Sequence, residues 1–219
     1  MCGRFTIMLD ASEAKEAFDL QAVPADWRPR FNVAPSQLVA VVVSADERKT
    51  EWMRWGLIPS WAKEASIGNR LINARAETVM EKPSFRGAFS KRRCLILADG
   101  FYEWQREEGR NSTPYLFQRV DAKPFAMAGL WEIWRSPEGE MIKSCTILTT
   151  SANGVVAPVH ERMPVMMRPD ASWNWLRETD PMRLYALLVS YAEADMKKRM
   201  VSRIVNDPAN DAPAIVNPV

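Results

Sequence analysis

Apolar residues along this chain gather in short runs broken by turn-forming residues, with few of the 3.6-period stripes that mark long helices. The run Leu38-Val39-Ala40-Val41-Val42-Val43 is uninterrupted, which predicts a buried strand, turning at 45–47 into a second strand near 50–57. Strand-like runs follow at 94–98, 101–105, 115–120, 125–131 and 145–150, several joined by the short loops 107–110, 121–124 and 136–139. A shorter strand is predicted over 3–9. Asp10 with Glu13 three residues on has the layout of a capping box, predicting a helix that runs to about Leu20. Further helices are expected after Pro83, over 171–177 and across 181–193, while Pro24, Pro29 and Pro35 hold an irregular stretch. No repeat, linker or low-complexity segment interrupts the pattern, so residues 1–219 read as one α+β domain, mainly antiparallel β with helices around it.

Composition narrows the classes. A chain of 219 residues that is 47% hydrophobic can bury a sizeable core. The net charge of +2 proclaims no affinity for nucleic acid, so such a role needs a local basic patch. Three widely spaced cysteines, Cys2, Cys94 and Cys145, suit a reducing compartment. One histidine and no Cys-x-x-Cys pair argue against a zinc site. No apolar run is long enough to span a bilayer and no leader precedes Cys2, so an intracellular, soluble protein is expected. Of nine tryptophans some must be core, the favoured reading for any single one, and the number also leaves candidates for stacking on unpaired bases.

The candidate chemistry begins at Cys2. Removal of Met1 would leave an α-amine and a thiol on one residue, with pKa values near about 8 and about 8.5. A 1,2-aminothiol captures an aldehyde as an imine that sulfur then closes to a thiazolidine. It can also serve as a nucleophile whose own amine is the base. Either use requires the Cys2 amine to lie open to solvent or a groove. Glu103, in Asp99-Gly100-Phe101-Tyr102-Glu103-Trp104, shares a strand face with Phe101; it is either partly desolvated, with a raised pKa, or an edge-strand carboxylate facing water. His160, in a proline-flanked loop, can donate and accept protons near neutrality, although a lone histidine is more often structural. Asn73 could orient a reactive amine or simply hold a turn. Arg4, Arg75 and Arg162 each neighbour one of these residues, a layout suited to phosphate contacts near a reacting centre. The runs 91–93 and 197–199 read as solvated faces.

Taken together, Met1-Cys2-Gly3-Arg4-Phe5, Phe31-Asn32-Val33-Ala34-Pro35, Trp55-Gly56-Leu57-Ile58-Pro59, Ile72 through Thr78, Asp99 through Trp104 and His160-Glu161-Arg162-Met163-Pro164 resemble the SRAP family (SOS response-associated peptidase). The resemblance implies a single compact domain with a β-barrel-like core and flanking helices. It implies a shield for abasic sites in single-stranded DNA, with Cys2 as the covalent residue attacking the C1′ aldehyde of the opened sugar. Asn73 would hold the amine or sugar. Glu103 would relay protons and is tied to release of a peptide ahead of the cysteine. His160 would assist ring opening and reversal. Arg4, Arg75 and Arg162 are implied phosphate contacts, with Thr149 as a neutral one, and Pro35 and Trp61 are implied to stack against the splayed strand. Where relatives carry a phosphate-binding arginine this chain has Pro83, with Lys82 and Arg86 close by. No metal or cofactor is implied. The implied protein is a bacterial, cytoplasmic monomer that joins the nucleoid when bound to DNA, with replication-fork proteins as further partners. Two rival readings stand beside this one: a glutamine amidohydrolase with an N-terminal nucleophile, using Asn153-Gly154 as an oxyanion site, and a non-covalent single-strand binder.

Overall fold

The computed structural model describes residues 2–106 and 112–219, so the expected loop at 107–110 lies outside the described residues. The strands in chain order are β1 (Phe5–Ile7), β2 (Arg30–Val33), β3 (Leu38–Val42), β4 (Thr50–Trp55), β5 (Asn73–Arg75), β6 (Arg93–Ala98) and β7 (Gly100–Gln105). They continue as β8 (Thr113–Arg119), β9 (Phe125–Arg135), β10 (Met141–Ser151), β11 (Arg162–Pro164), β12 (Met166–Met167) and β13 (Met196–Met200). The helices are α1 (Ala11–Ala17), α2 (Arg86–Lys91), α3 (Pro169–Arg177) and α4 (Pro181–Ala186).

Strands β3, β4, β10, β9 and β6 pair in that order, and β6 pairs back onto β3 through Val41–Ile96 and Val42–Leu95, closing a five-stranded barrel. Closure removes the unpaired edges that an open sheet exposes. Only β4 against β10 is parallel in this ring; the rest is antiparallel. The uninterrupted apolar run of β6 follows from burial on both faces: Cys94 through Ala98 are all inaccessible, one side turned inward and the other roofed by α3. Trp175 of α3 packs on Phe89 of α2 and donates its indole N–H to the Cys94 carbonyl at 3.0 Å. Gly56, at φ +123°, lies so close to Gly68 that a Cβ there would come within 2.6 Å of the Gly68 oxygen, so the Trp55-Gly56-Leu57 turn needs glycine.

The second sheet has the order β13-β8-β7-β1-β2 and is antiparallel throughout. The chain passes from barrel to sheet at Asp99, whose carboxylate accepts from the Thr6 hydroxyl (2.5 Å) and the Met8 amide (2.5 Å). That contact ties β1 to the crossing point. Gly100 follows because a Cβ there would sit 2.8 Å from the Thr6 hydroxyl oxygen. Behind this sheet the C-terminal segment forms a clasp. Buried Asn32 donates to the carbonyls of Val205, Asp207 and Asn210, and Asp211 accepts from the amides of Phe31 and Asn32.

The expected capping box is present: Asp10 accepts from the Ser12 and Glu13 amides while Glu13 accepts from the Asp10 amide at 2.8 Å. The helix it opens is shorter than expected. Asp19 turns left-handed (φ 50°), and Leu20 donates to the Lys15 carbonyl at 2.9 Å, a Schellman ending that turns Phe18 and Leu20 into the core. The helix expected across 181–193 stops at Ala186, because Ser190 bonds the Ser151 carbonyl and the Tyr191 carbonyl takes Asn153, drawing the chain out of helix. The basic run at 197–199 forms an edge strand, β13, whose lysines face solvent. No described helix is long and apolar enough to cross a membrane.

A candidate active site where the barrel meets the second sheet

β1 threads between β2 and β7, with Phe5 opposite Phe101 and Val33, and the Tyr102 amide continues the ladder to the Arg4 carbonyl at 2.9 Å. Extending that register sets Gly3 opposite Glu103 and brings Cys2 to the seam between sheet and barrel. The expectation of an open first residue is not met in the chain that carries Met1. Cys2 is 0% exposed and joins the main apolar cluster with Phe5 and Trp55, because the strand carries it inward. Burial first, and the Glu103 charge second, push its thiol pKa well above the usual range, so the sulfur is neutral and silent.

From the barrel side, β5 lies parallel to β10 and projects Asn73 across the seam, where its Nδ2 donates to the Cys2 carbonyl at 2.8 Å. The Asn73 Oδ1 is buried and accepts no hydrogen bond among the described residues. A buried acceptor left without a donor costs about 1–3 kcal/mol. Glu103 is buried in the middle of the sheet, between β8 and β1, rather than at a wet edge. Burial raises its carboxyl to about 6, where it can give or take a proton near neutrality. Phe101 and Tyr102 diverge as strand alternation requires: Phe101 stacks on Phe117 in the main core, and Tyr102 enters a small second cluster.

His160 follows a turn between β10 and β11, and Gln105 at the end of β7 donates to the Pro158 carbonyl of that turn at 3.3 Å. The ring is half-buried, and burial lowers its pKa. Its Nδ1 accepts from the Arg162 amide at 3.0 Å, so the neutral ring carries its hydrogen on Nε2.

The three arginines stand in different states. Arg75, two residues from Asn73 and on the same strand face, is exposed and makes no hydrogen bond or ion pair among the described residues. Arg4 is half-buried, donating to Asn32 Oδ1 and to the Val205 carbonyl (both 2.7 Å), its guanidinium 5.7 Å from the Trp104 ring centre. Arg162 is buried and forked on Glu77 at 2.6 and 2.9 Å, and it also donates to the Thr149 carbonyl at 2.6 Å. Thr149 is itself fully buried beneath that arginine. Pro35 is half-buried, next to the end of β2. Trp61 is 59% exposed, the most open of the tryptophans, and lines a cleft of about 180 Å³ with Pro83 and Arg86. Arg86 and Arg92 are the basic residues that line this cleft with Trp61. Asn153 does not form an oxyanion site: its Oδ1 accepts the Val155 and Val156 amides and its Nδ2 donates to Tyr191, the work of a turn. Reading the sequence missed Asn32, Asp99 and Glu77, which hold the site from behind. A buried Asn inside the apolar stretch 31–35 was the available signal for the first.

A closed barrel joined to an antiparallel sheet brings a cysteine, an amide and a carboxyl group together at their seam. The chain belongs to the SRAP family: residues 1–208 match the family described as SOS response associated peptidase (SRAP). It is 41% identical over 221 residues to the abasic site processing protein YoqW of Bacillus subtilis, with 99% of each chain covered. It is 30% identical over 234 residues to the abasic site processing protein HMCES of Rattus norvegicus, covering 89% of this chain and 66% of that one. A crystal structure of a protein from Bacteroides thetaiotaomicron superimposes with TM-score 0.88 at 25% identity, covering 100% of both chains. Another from Bordetella bronchiseptica gives TM-score 0.78 at 27% identity, over 92% of this chain and 100% of that one.

Proposed function

We propose that the protein processes abasic sites in single-stranded DNA by forming a thiazolidine between Cys2 and the ring-opened deoxyribose. The observation that carries the reading is the meeting of Asn73, with its empty Oδ1, and Glu103 on Cys2. The names of the YoqW and HMCES relatives supply the substrate class. Met1 is removed first, giving Cys2 a free amine. His160 donates a hydrogen bond from Nε2 to the ring oxygen while the C1′ hydroxyl proton moves to that oxygen, so the hemiacetal opens to the C1′ aldehyde. The amine adds to C1′, and Glu103, with a carboxyl poised at about 6, donates the proton that lets hydroxide leave as water. The Cys2 sulfur then adds to the imine carbon as its proton passes to nitrogen. Aldehyde plus aminothiol thus gives thiazolidine plus one water, with no change of oxidation state. Asn73 Oδ1 accepts from the amine or a sugar hydroxyl and holds it in line. Arg75 is free to take a phosphate. Arg4 and Arg162 are held by Asn32 and Glu77 and Thr149 is buried beneath Arg162, so the phosphate falls to Arg75, while Pro35 and Trp61 offer apolar faces to the splayed strand. The same Glu103 can serve in releasing residues ahead of Cys2.

Protein whose first residue is shown by mass spectrometry to be Cys2 should shift an abasic oligonucleotide on a denaturing gel, and Cys2→Ala should remove the shifted band altogether. Release of ammonia from glutamine with no shifted band would overturn the reading in favour of an amidohydrolase. Salt-sensitive binding with no covalent product would leave a binding module.

A further inference from the structure

Glu77 belongs to the Ile72–Thr78 motif, yet no step above uses it. It sits on the single 3-10 turn Ala76–Thr78, directly after β5, and its carboxylate takes both arms of the Arg162 guanidinium. Fork-on-fork pairing of this kind fixes orientation as well as distance. Arg162 is the first residue of β11, opposite Ser151 at the end of its ladder with β10, where a three-residue strand holds least firmly on its own. Its side chain adds the missing anchorage through Glu77 and the Thr149 carbonyl. Its backbone amide meanwhile points at His160 Nδ1. Glu77, Arg162 and His160 therefore form a chain of contacts running from the Asn73 strand to the imidazole.

We infer that Glu77 is a positioning residue: by locking Arg162 it aims the Arg162 amide at His160 Nδ1, holding the ring in the tautomer that presents N–H at Nε2. The inference rests on the proposed role of His160 in opening and closing the sugar. The charges acting most on His160 are those of the amino terminus, Glu161 and Arg106, with the Arg162 amide as its hydrogen-bond partner. Glu77 thus works through geometry, not through its field. Its side chain is 44% exposed, so a change there leaves the core intact.

The chain has a single histidine, so 15N-histidine labelling reports one imidazole and nothing else. At a pH where the ring is neutral, the wild type should give two widely separated ring-nitrogen resonances, the protonated one being Nε2. Glu77→Gln, which keeps the shape and loses the charge, should pull the two resonances together as the tautomers mix. Glu77→Asp should restore the separation, and Arg162→Lys, charged but without a fork, should lose it. In the DNA reaction Glu77→Gln should slow reversal of the adduct roughly tenfold, a fraction of what a general acid–base contributes. An unchanged separation in Glu77→Gln, with native amide resonances, would overturn the inference. If the wild type forms no adduct at all, the proposed function fails while the tautomer result stands on its own.

Discussion

The barrel and the second sheet are held together by different physics. In the barrel, closure of the ring and burial of both faces of β6 leave a core of aliphatic, sulfur and aromatic side chains, and most of its strands follow apolar runs. The second sheet is fastened instead by polar side chains reaching across the chain: Asp99 to Thr6 and Met8, Asn32 to three carbonyls of residues 205–210, and Arg4 to Val205. Apolar contacts forgive small changes of shape. Hydrogen bonds between buried groups fix direction and fail when one partner goes. Cys2 and Glu103 belong to the fastened part, and Asn73 reaches Cys2 from the barrel side.

This contrast can be broken by measurement. The largest effect should come from Asn32→Ala, which strands buried carbonyls and the Arg4 guanidinium together. Urea unfolding should show a loss of about 3 kcal/mol or more. A loss under about 1 kcal/mol would mean that the clasp is ornamental. Next is the dependence on pH. Burial holds the Asp99 and Glu103 carboxyls at about 6, above their ordinary values, so the folded chain keeps protons that the unfolded chain releases. The stability from this source is whole below about pH 4 and is lost as pH rises through about 6. Each group contributes at most about 3 kcal/mol. Denaturation midpoints should therefore fall across that window, and Asp99→Asn should reduce the slope by roughly half, since Glu103 keeps its share. A slope that Asp99→Asn leaves untouched would move the pH response elsewhere. The smallest effect should be Ile96→Val in the barrel, about 1 kcal/mol with no change in adduct yield. A barrel change of that size that halts the reaction would erase the distinction between the two parts.

The same division decides how much could be read beforehand. Strands β3, β4, β6, β7, β8, β9 and β10 follow apolar runs and turn residues, and the structure extends β9 and β10 beyond the expected 125–131 and 145–150. Strands β2, β5, β11, β12 and β13 gave little local signal. The first four have two to four residues each, too few for a period to register. The fifth, Met-Lys-Lys-Arg-Met, is an edge strand whose charges disguise it. At the candidate site, Cys2, Asn73, Glu103 and His160 stood out by residue type and motif, and the structure brings Asn73 and Glu103 to Cys2. The burial of Cys2 and the engagement of Arg162 by Glu77 were not, because both depend on partners more than 70 residues away in sequence.

The clasp has a consequence in time. Arg4 and Val205 stand 201 positions apart, so during synthesis the bond between them waits until the later of the two has emerged. Pairing of β1 with β2 and β7 draws on nearer segments, and the bond to Val205 is added after them. The hold on the leading segment is therefore complete only once a distant stretch of the chain has folded against it.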